Sequence, residues 1–186
     1  MAKLIYASNM SLDGWTEDAD GDISWAPPDD DVFVSITELM VSVGTYLYGR
    51  RMYETMAVWE TDPSLGDRSE LTAAYARAWQ AADKVVYSTT RPEPSTASTR
   101  VEPHFDPHVV RSMKESSDRD LLVGGPTLAG QALDAALVDE VVLYVWPIVL
   151  AGTKAALPAT HRVDLELVDE HRFGGSGAVR LHYRVQ

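Results

Sequence analysis

Three short stretches combine backbone freedom with positive charge or hydroxyl groups in a way that suits an anionic ligand. Gly49-Arg50-Arg51-Met52 follows the apolar run Thr45-Tyr46-Leu47-Tyr48. The glycine lets the chain turn tightly, the helix that follows points free N–H groups outward, and two guanidiniums stand beside that positive end, an arrangement suited to a phosphate. The same residues also read as surface arginines after a helix-start glycine. Gly124-Gly125-Pro126-Thr127-Leu128 follows the strand-like Asp120-Leu121-Leu122-Val123. Proline fits the first helical turn and the paired glycines permit close backbone approach, so this is a second phosphate cradle or a plain strand-to-helix turn. It is neither the Gly-x-Gly-x-x-Gly fingerprint nor a P-loop. After Tyr87, Ser88-Thr89-Thr90-Arg91 offers hydroxyls and a guanidinium for a ribose and its phosphate, or forms an ordinary polar loop. Together the three ends suit one phosphorylated nucleotide.

Carboxylates supply the other candidate chemistry. Ser11-Leu12-Asp13-Gly14-Trp15 and Trp25-Ala26-Pro27-Pro28-Asp29-Asp30 lie in one long loop. A carboxylate entering a helix beside a tryptophan is expected to be partly desolvated. It could then grip a protonated heterocycle or relay a proton. Asp30 alternatively serves as a helix N-cap. His104 and His108 form an i, i+4 pair, but Pro103 and Pro107 disturb that helix and no third ligand is apparent, so no metal is expected. No Gly-x-Ser-x-Gly elbow supports a hydrolase triad.

The elements that must hold these residues follow from composition and periodicity. The chain has 186 residues, is 45% hydrophobic and contains no cysteine, which predicts one domain with a real core and excludes disulfides and thiolate zinc. Net charge is −12, from 16 basic against 28 acidic residues, which argues against a nucleic-acid partner. Eight acidic residues and no basic one fall between Asp13 and Asp31, a stretch that reads mainly as a solvated loop. The run Val141–Trp146 is too short to span a bilayer and the N-terminus turns polar early, so a cytoplasmic protein with no membrane partner is expected.

Strand patterns over 4–8, 45–48, 84–88, 120–123 and 139–146 alternate with helical ones over 30–43, 50–57, 68–81, 107–115 and 126–138. That alternation predicts an α/β fold with a mainly parallel sheet covered on both faces. The stretches 58–67 and 90–99 read as loops. The segments 163–172 and 178–185 predict an antiparallel hairpin at one edge. Ligands of such sheets bind outside the carboxyl ends of strands, where the three stretches lie.

The chain resembles the dihydrofolate reductase-like superfamily, and within it stand-alone relatives of the riboflavin-pathway reductase domain. The likeness covers essentially the whole chain. It rests on Met10-Ser11-Leu12-Asp13-Gly14, on Tyr48-Gly49-Arg50-Arg51-Met52-Tyr53-Glu54, on Leu122 to Leu128, and on Asp139-Glu140-Val141-Val142-Leu143 leading to Pro147 and Gly152. The resemblance implies a mostly parallel sheet of about eight strands with helices on both faces and a C-terminal antiparallel hairpin. It implies NADPH as hydride donor, with Gly49, Arg50, Arg51 and Met52 at its phosphates, Ser88 and Thr89 at the adenosine ribose phosphate, Gly124 to Leu128 (Gly124, Gly125, Pro126, Thr127, Leu128) at the pyrophosphate, and Ala7 near the nicotinamide. Trp25, Pro28 and Asp30 match the spacing that dihydrofolate reductases use at the substrate, so Trp25, Asp30 and Phe33 are expected there, with Asp30 or Asp13 as the acid. Ala7 and Val123 stand where the riboflavin-pathway enzyme has lysine and glutamate. The implied function is reduction of a small pterin-like or aminopyrimidine-like heterocycle. The alternative is a nucleotide-binding protein of the same fold without turnover. The resemblance also implies a homodimer.

Overall fold

The computed structural model describes residues 1–90 and 93–186. Ten strands and six helices follow one another among the described residues. The first half holds β1 (Leu4–Ser11), β2 (Trp15–Glu17), α1 (Asp30–Ser42), β3 (Val43–Gly49), α2 (Arg50–Thr61), α3 (Pro63–Gly66), α4 (Glu70–Ala81) and β4 (Asp83–Tyr87). The second holds β5 (Thr99–Glu102), α5 (Pro107–Ser116), β6 (Asp120–Gly124), α6 (Pro126–Asp134), β7 (Glu140–Trp146), β8 (Lys154–Ala155), β9 (Leu165–Arg172) and β10 (Val179–Val185). Eight strands form one sheet in the order β5-β4-β3-β6-β1-β7-β10-β9. The first six run parallel, and β10 and β9 close the other edge as an antiparallel hairpin. The short β2 and β8 pair separately.

Period-two alternation divides the sheet residues between two cores. Leu4, Tyr6, Leu121, Val123, Val141 and Leu143 meet the apolar faces of α5 and α6, through Val110, Leu128, Ala129 and Leu133. On the opposite face Tyr46, Tyr48 and Val86 meet α2 and α4, while Ile5, Val142 and Tyr144 meet α1 through Val32. The run in β7 is buried on both faces, as its continuous apolar sequence predicts. No helix among the described residues is long and apolar enough to cross a membrane.

Several boundaries differ from the sequence expectation. Residues 58–67 are largely helical: α2 continues to Thr61, and Asp62 then caps α3 through Ser64 N. The stretch read as loop after residue 90 ends in β5, whose only large apolar residue, Val101, gives no alternating pattern. The helix expected to reach Val138 stops at Asp134, because Ala136 turns to φ +52°. At the opposite end of β4 from the candidate site, fully buried Lys84 ends α4 by donating to the carbonyls of Trp79, Gln80 and Ala82 at 3.4, 3.3 and 3.0 Å. A cation at a helix C-terminus answers the unpaired carbonyls there.

Candidate functional site

Parallel pairing brings the carboxyl ends of the strands abreast. Gly49 lies opposite Tyr87, Tyr87 opposite Glu102, and Tyr48 opposite Gly124. The residues one step further on therefore converge, and they line an open cavity of about 630 Å³. Gly49 and Arg50 enter it from the β3–α2 turn, and Tyr87 to Thr90 from the end of β4. Pro103, His104 and Phe105 enter from beyond β5, and Thr127, Leu128 and Gln131 from α6. Although the chain carries −12 net charge, no carboxylate is among these lining residues. Arg50, His104 and the hydroxyls of Ser88, Thr89, Thr90 and Thr127 set its polarity. Burial pushes the Tyr87 phenol up to about 12, so it stays neutral.

The helix N-termini separate into two groups. Asp29, Asp62, Ser69 and Asp106 cap α1, α3, α4 and α5 with their own side chains. The helices that open at the cavity, α2 and α6, start from Gly49 and Gly125 with no side-chain cap bond. No acidic residue lies in the first turn of either, and α2 begins with Arg50 and Arg51. Free N–H groups and an uncompensated positive helix end favour an anion there.

Of the residues expected at the nucleotide, Gly49, Arg50, Ser88, Thr89, Thr127 and Leu128 line this cavity. Arg51 is exposed on α2 outside the lining, and Arg91 lies outside the described residues. Pro126 takes the first turn of α6. The paired glycines have separate reasons. Gly125 adopts φ +88°, which a side chain would strain. A Cβ on Gly124 would sit 2.5 Å from Tyr48 Cε1 and 3.3 Å from Met52 Cγ. The structure thus gives Gly124 a packing reason of its own: its missing side chain accommodates the Tyr48 ring. Met52 is a packing residue at this junction, against both glycines.

The expected acids are arranged differently from the sequence reading. The Asp13 carboxylate accepts the backbone N–H groups of Leu150 and Ala151 at 3.0 and 2.8 Å. Those bonds, Leu150 foremost, hold it down at about 2, so Asp13 is ionised at neutral pH and has no proton to give. Its place is structural: with Leu12 N donating to Ile148 O and Ala156 N to Gly14 O, it ties the segment after β7 to the end of β1. Gly152 is part of the same lock, since a Cβ there would run into Glu17 O. Two of the resembling motifs therefore form one physical unit.

Asp29, not Asp30, caps α1: its Oδ1 accepts Val32 N at 2.9 Å, a bond that lowers its pKa, while Oδ2 is buried near Gly175. Asp30 is exposed, so the partial desolvation expected of it is not found. Trp25 is half-buried and donates Nε1 to Thr16 O at 3.1 Å. The Phe33 ring packs at 4.9 Å from Tyr75 and 6.1 Å from Trp59, joining α1 to α4 and α2. Ala7 is half-buried on β1 between the two cores of the α1 face.

The sequence reading missed Pro103 to Phe105 because it missed β5, and Gln131 because it lies a turn and a half inside α6, away from the strand end. A polar residue on the same helix face as Thr127, four positions on, was the available signal for Gln131.

The family model for the RibD C-terminal domain matches residues 2–175. A protein of Bacillus subtilis (strain 168) described as uncharacterized protein YyaP is 25% identical over 183 residues, covering 97% of this chain and 94% of its own. Among solved structures, a candidate riboflavin biosynthesis protein from Shewanella sp. PV-4 is 18% identical with a TM-score of 0.77, covering 100% of this chain and 99% of the other. A pyrimidine reductase-like protein from Corynebacterium diphtheriae is 11% identical with a TM-score of 0.64, covering 100% of this chain and 92% of the other. The diaminohydroxyphosphoribosylaminopyrimidine deaminase/5-amino-6-(5-phosphoribosylamino)uracil reductase of Thermotoga maritima is 16% identical with a TM-score of 0.67; all of this chain spans 57% of that one. These structures share the dihydrofolate reductase-like fold. By the extent of the family match, the chain belongs to the RibD C-terminal domain family.

Proposed function

We propose that the chain is an NADPH-dependent reductase delivering hydride to a small conjugated heterocycle of the pterin or aminopyrimidine kind. The observation that carries this reading is the acid-free cavity at four parallel strand ends, flanked by the two helix N-termini that no side chain caps. The residues present fit a phosphorylated dinucleotide. Arg50 and the Gly49 turn would hold a phosphate, the start of α6 the pyrophosphate, and Ser88 and Thr89 the adenosine ribose with its phosphate. When bound, the nicotinamide supplies the hydride. The chain's own residues bind and orient the two rings and exclude water between them. The Asp30 side chain is exposed at the start of α1 and makes no hydrogen bond with a described residue, so it can hydrogen-bond a substrate ring, whereas the proton for the reduced bond comes from water or through Asp30 rather than from Asp13. Membership of the family, and the uracil reductase activity named for the Thermotoga relative, support a pyrimidine reductase-like reaction.

A second reading, a nucleotide-binding protein without turnover, is favoured by one observation. Val123 is fully buried in the core and Ala7 carries no titratable group, so neither strand end offers an acid or base. Loss of NADPH absorbance with a panel of pterins and aminopyrimidines separates the two. Oxidation dependent on one heterocycle is expected; saturable NADPH binding with no oxidation across the panel would favour the second reading. The reading also includes a homodimer through the β9 edge, where Leu167 and Val168 are 48% and 45% exposed. Light scattering on the eluted protein should give twice the chain mass, and a monomer at all concentrations would contradict it.

A further inference from the structure

We propose that an open cavity between α1 and the β9–β10 hairpin binds a linear aliphatic polyamine, its terminal ammonium groups held by Asp31 and Glu38. The cavity has a volume of about 430 Å³ and shares no lining residue with the one at the strand ends. It lies over the opposite edge of the sheet, so it is independent of the nucleotide reading. Asp31, Val34, Ser35 and Glu38 form its helical wall. Their offsets of three, four and seven residues place them on one face of α1. The hairpin supplies the other wall through His171, Phe173 and Arg180. Arg180 pairs with Tyr144 on one side and His171 on the other, in the row of the sheet that faces α1.

The charge left open in this cavity is negative. Neither the Asp31 nor the Glu38 side chain makes a hydrogen bond or ion pair with a described residue, and both are exposed. Arg180 is the one permanent cation of the lining, and its charge is already answered: Nη1 donates to Ser35 Oγ at 3.2 Å and Nη2 to Asp169 Oδ2. Its Nε is buried, out of reach of solvent. A ligand therefore meets two free carboxylates and a guanidinium whose outer nitrogens are taken, which suits a cation. No cluster of three His, Asp or Glu side chains that could hold a metal ion is found among the described residues, so the cation these carboxylates suit is organic. Their Cα atoms stand seven residues apart, about 10 Å along the helix, which is close to the length of an extended triamine such as spermidine. The surface between them suits methylene groups. Val34 is 41% exposed, and the buried Phe173 ring carries the His171 ring edge-on at 4.7 Å. An aliphatic chain can lie on that surface while its charged ends stay at the wet rim. The net charge of −12 draws such a ligand toward the chain.

The test is titration calorimetry of the whole chain with spermidine, propylamine and magnesium chloride at matched ionic strength. It is run on the wild type, Asp31→Asn, Glu38→Gln and Glu170→Gln. Glu170 is an exposed acid one residue before His171, on the opposite face of the sheet, and serves as the control. Spermidine should bind the wild type saturably at one site. Asp31→Asn and Glu38→Gln should each weaken it about three- to fivefold, the size of one exposed ion pair, and Glu170→Gln should leave it unchanged. Propylamine, with a single charge, should bind more weakly than spermidine. Lack of saturable spermidine binding, an equal response to magnesium, or an affinity that neither Asp31→Asn nor Glu38→Gln changes would overturn the proposal. Both carboxylates are exposed, so the amide variants should unfold at the wild-type temperature. NADPH affinity should be the same in all four proteins, which keeps a failure here distinct from a failure of the nucleotide reading.

Discussion

Gly124→Ala separates two explanations of the paired glycines. If Gly124 is glycine to admit the Tyr48 ring, the substitution damages the core; if it is glycine to admit a ligand, it damages binding. The added methyl would stand 2.5 and 2.7 Å from Tyr48 Cε1 and Cδ1, against an ordinary carbon contact of about 3.5–4.0 Å. Tyr48 cannot simply swing away: it is 1% exposed and stacked on Tyr46 with centroids 5.5 Å apart. Met52 at 3.3 Å blocks relief on the other side. Overpacking of this kind costs about 1–3 kcal/mol. At roughly 2–4 °C per kcal/mol for a domain this size, the midpoint should fall by about 2 to 12 °C. The assay is thermal unfolding of Gly124→Ala with and without NADPH, in the wild-type and Tyr48→Leu backgrounds. The loss should shrink in the Tyr48→Leu background, because the pair is coupled, and the shift produced by NADPH should persist. An unchanged midpoint together with a lost NADPH shift would refute the packing argument.

Asp13→Asn should lower the midpoint near neutral pH and make the segment after β7 more open to proteolysis. The wild-type carboxyl is depressed from 3.8 to about 2, so its stabilisation is present above about pH 4 and is lost as pH falls through about 2. The gap between wild type and variant should therefore close in acid, and a pH-independent gap would contradict the clamp. Ser35→Val removes the buried hydroxyl that lies 3.1 Å from Tyr144 OH and accepts from Arg180 Nη1 at 3.2 Å, between α1 and the β9–β10 hairpin. It should cost about 1–3 kcal/mol in denaturant unfolding through unpaired buried groups, and Tyr144→Phe in the same protein should recover part of that loss.

The fold was legible where periodicity was strong. In α1, apolar residues at Phe33, Ile36, Leu39, Met40 and Val43 mark one face, and β7 is apolar throughout. Edge strand β5 has one large apolar residue in four and leaves no such mark. The α6 end depends on a positive φ at Ala136, which no glycine announces. The convergence of Arg50, Ser88 and Thr127 on one cavity was legible in the sequence, because parallel strand ends converge by rule. His104 was lost along with β5. The surroundings of the acids were not legible, because their partners are remote or adjacent in ways that composition hides. Asp13 is answered by Leu150 and Ala151 from far along the chain, and Asp29 takes the capping role one residue ahead of Asp30.

The central claim is that the cavity at the ends of β3, β4, β5 and α6 holds a phosphorylated nicotinamide nucleotide. Calorimetric titration with NADPH and NADH, repeated on Arg50→Ala, tests it most directly. The account predicts saturable NADPH binding at micromolar levels, weaker NADH binding, and a loss of about tenfold or more for NADPH in Arg50→Ala with the unfolding midpoint unchanged. No binding of either nucleotide, or binding indifferent to Arg50, would contradict it.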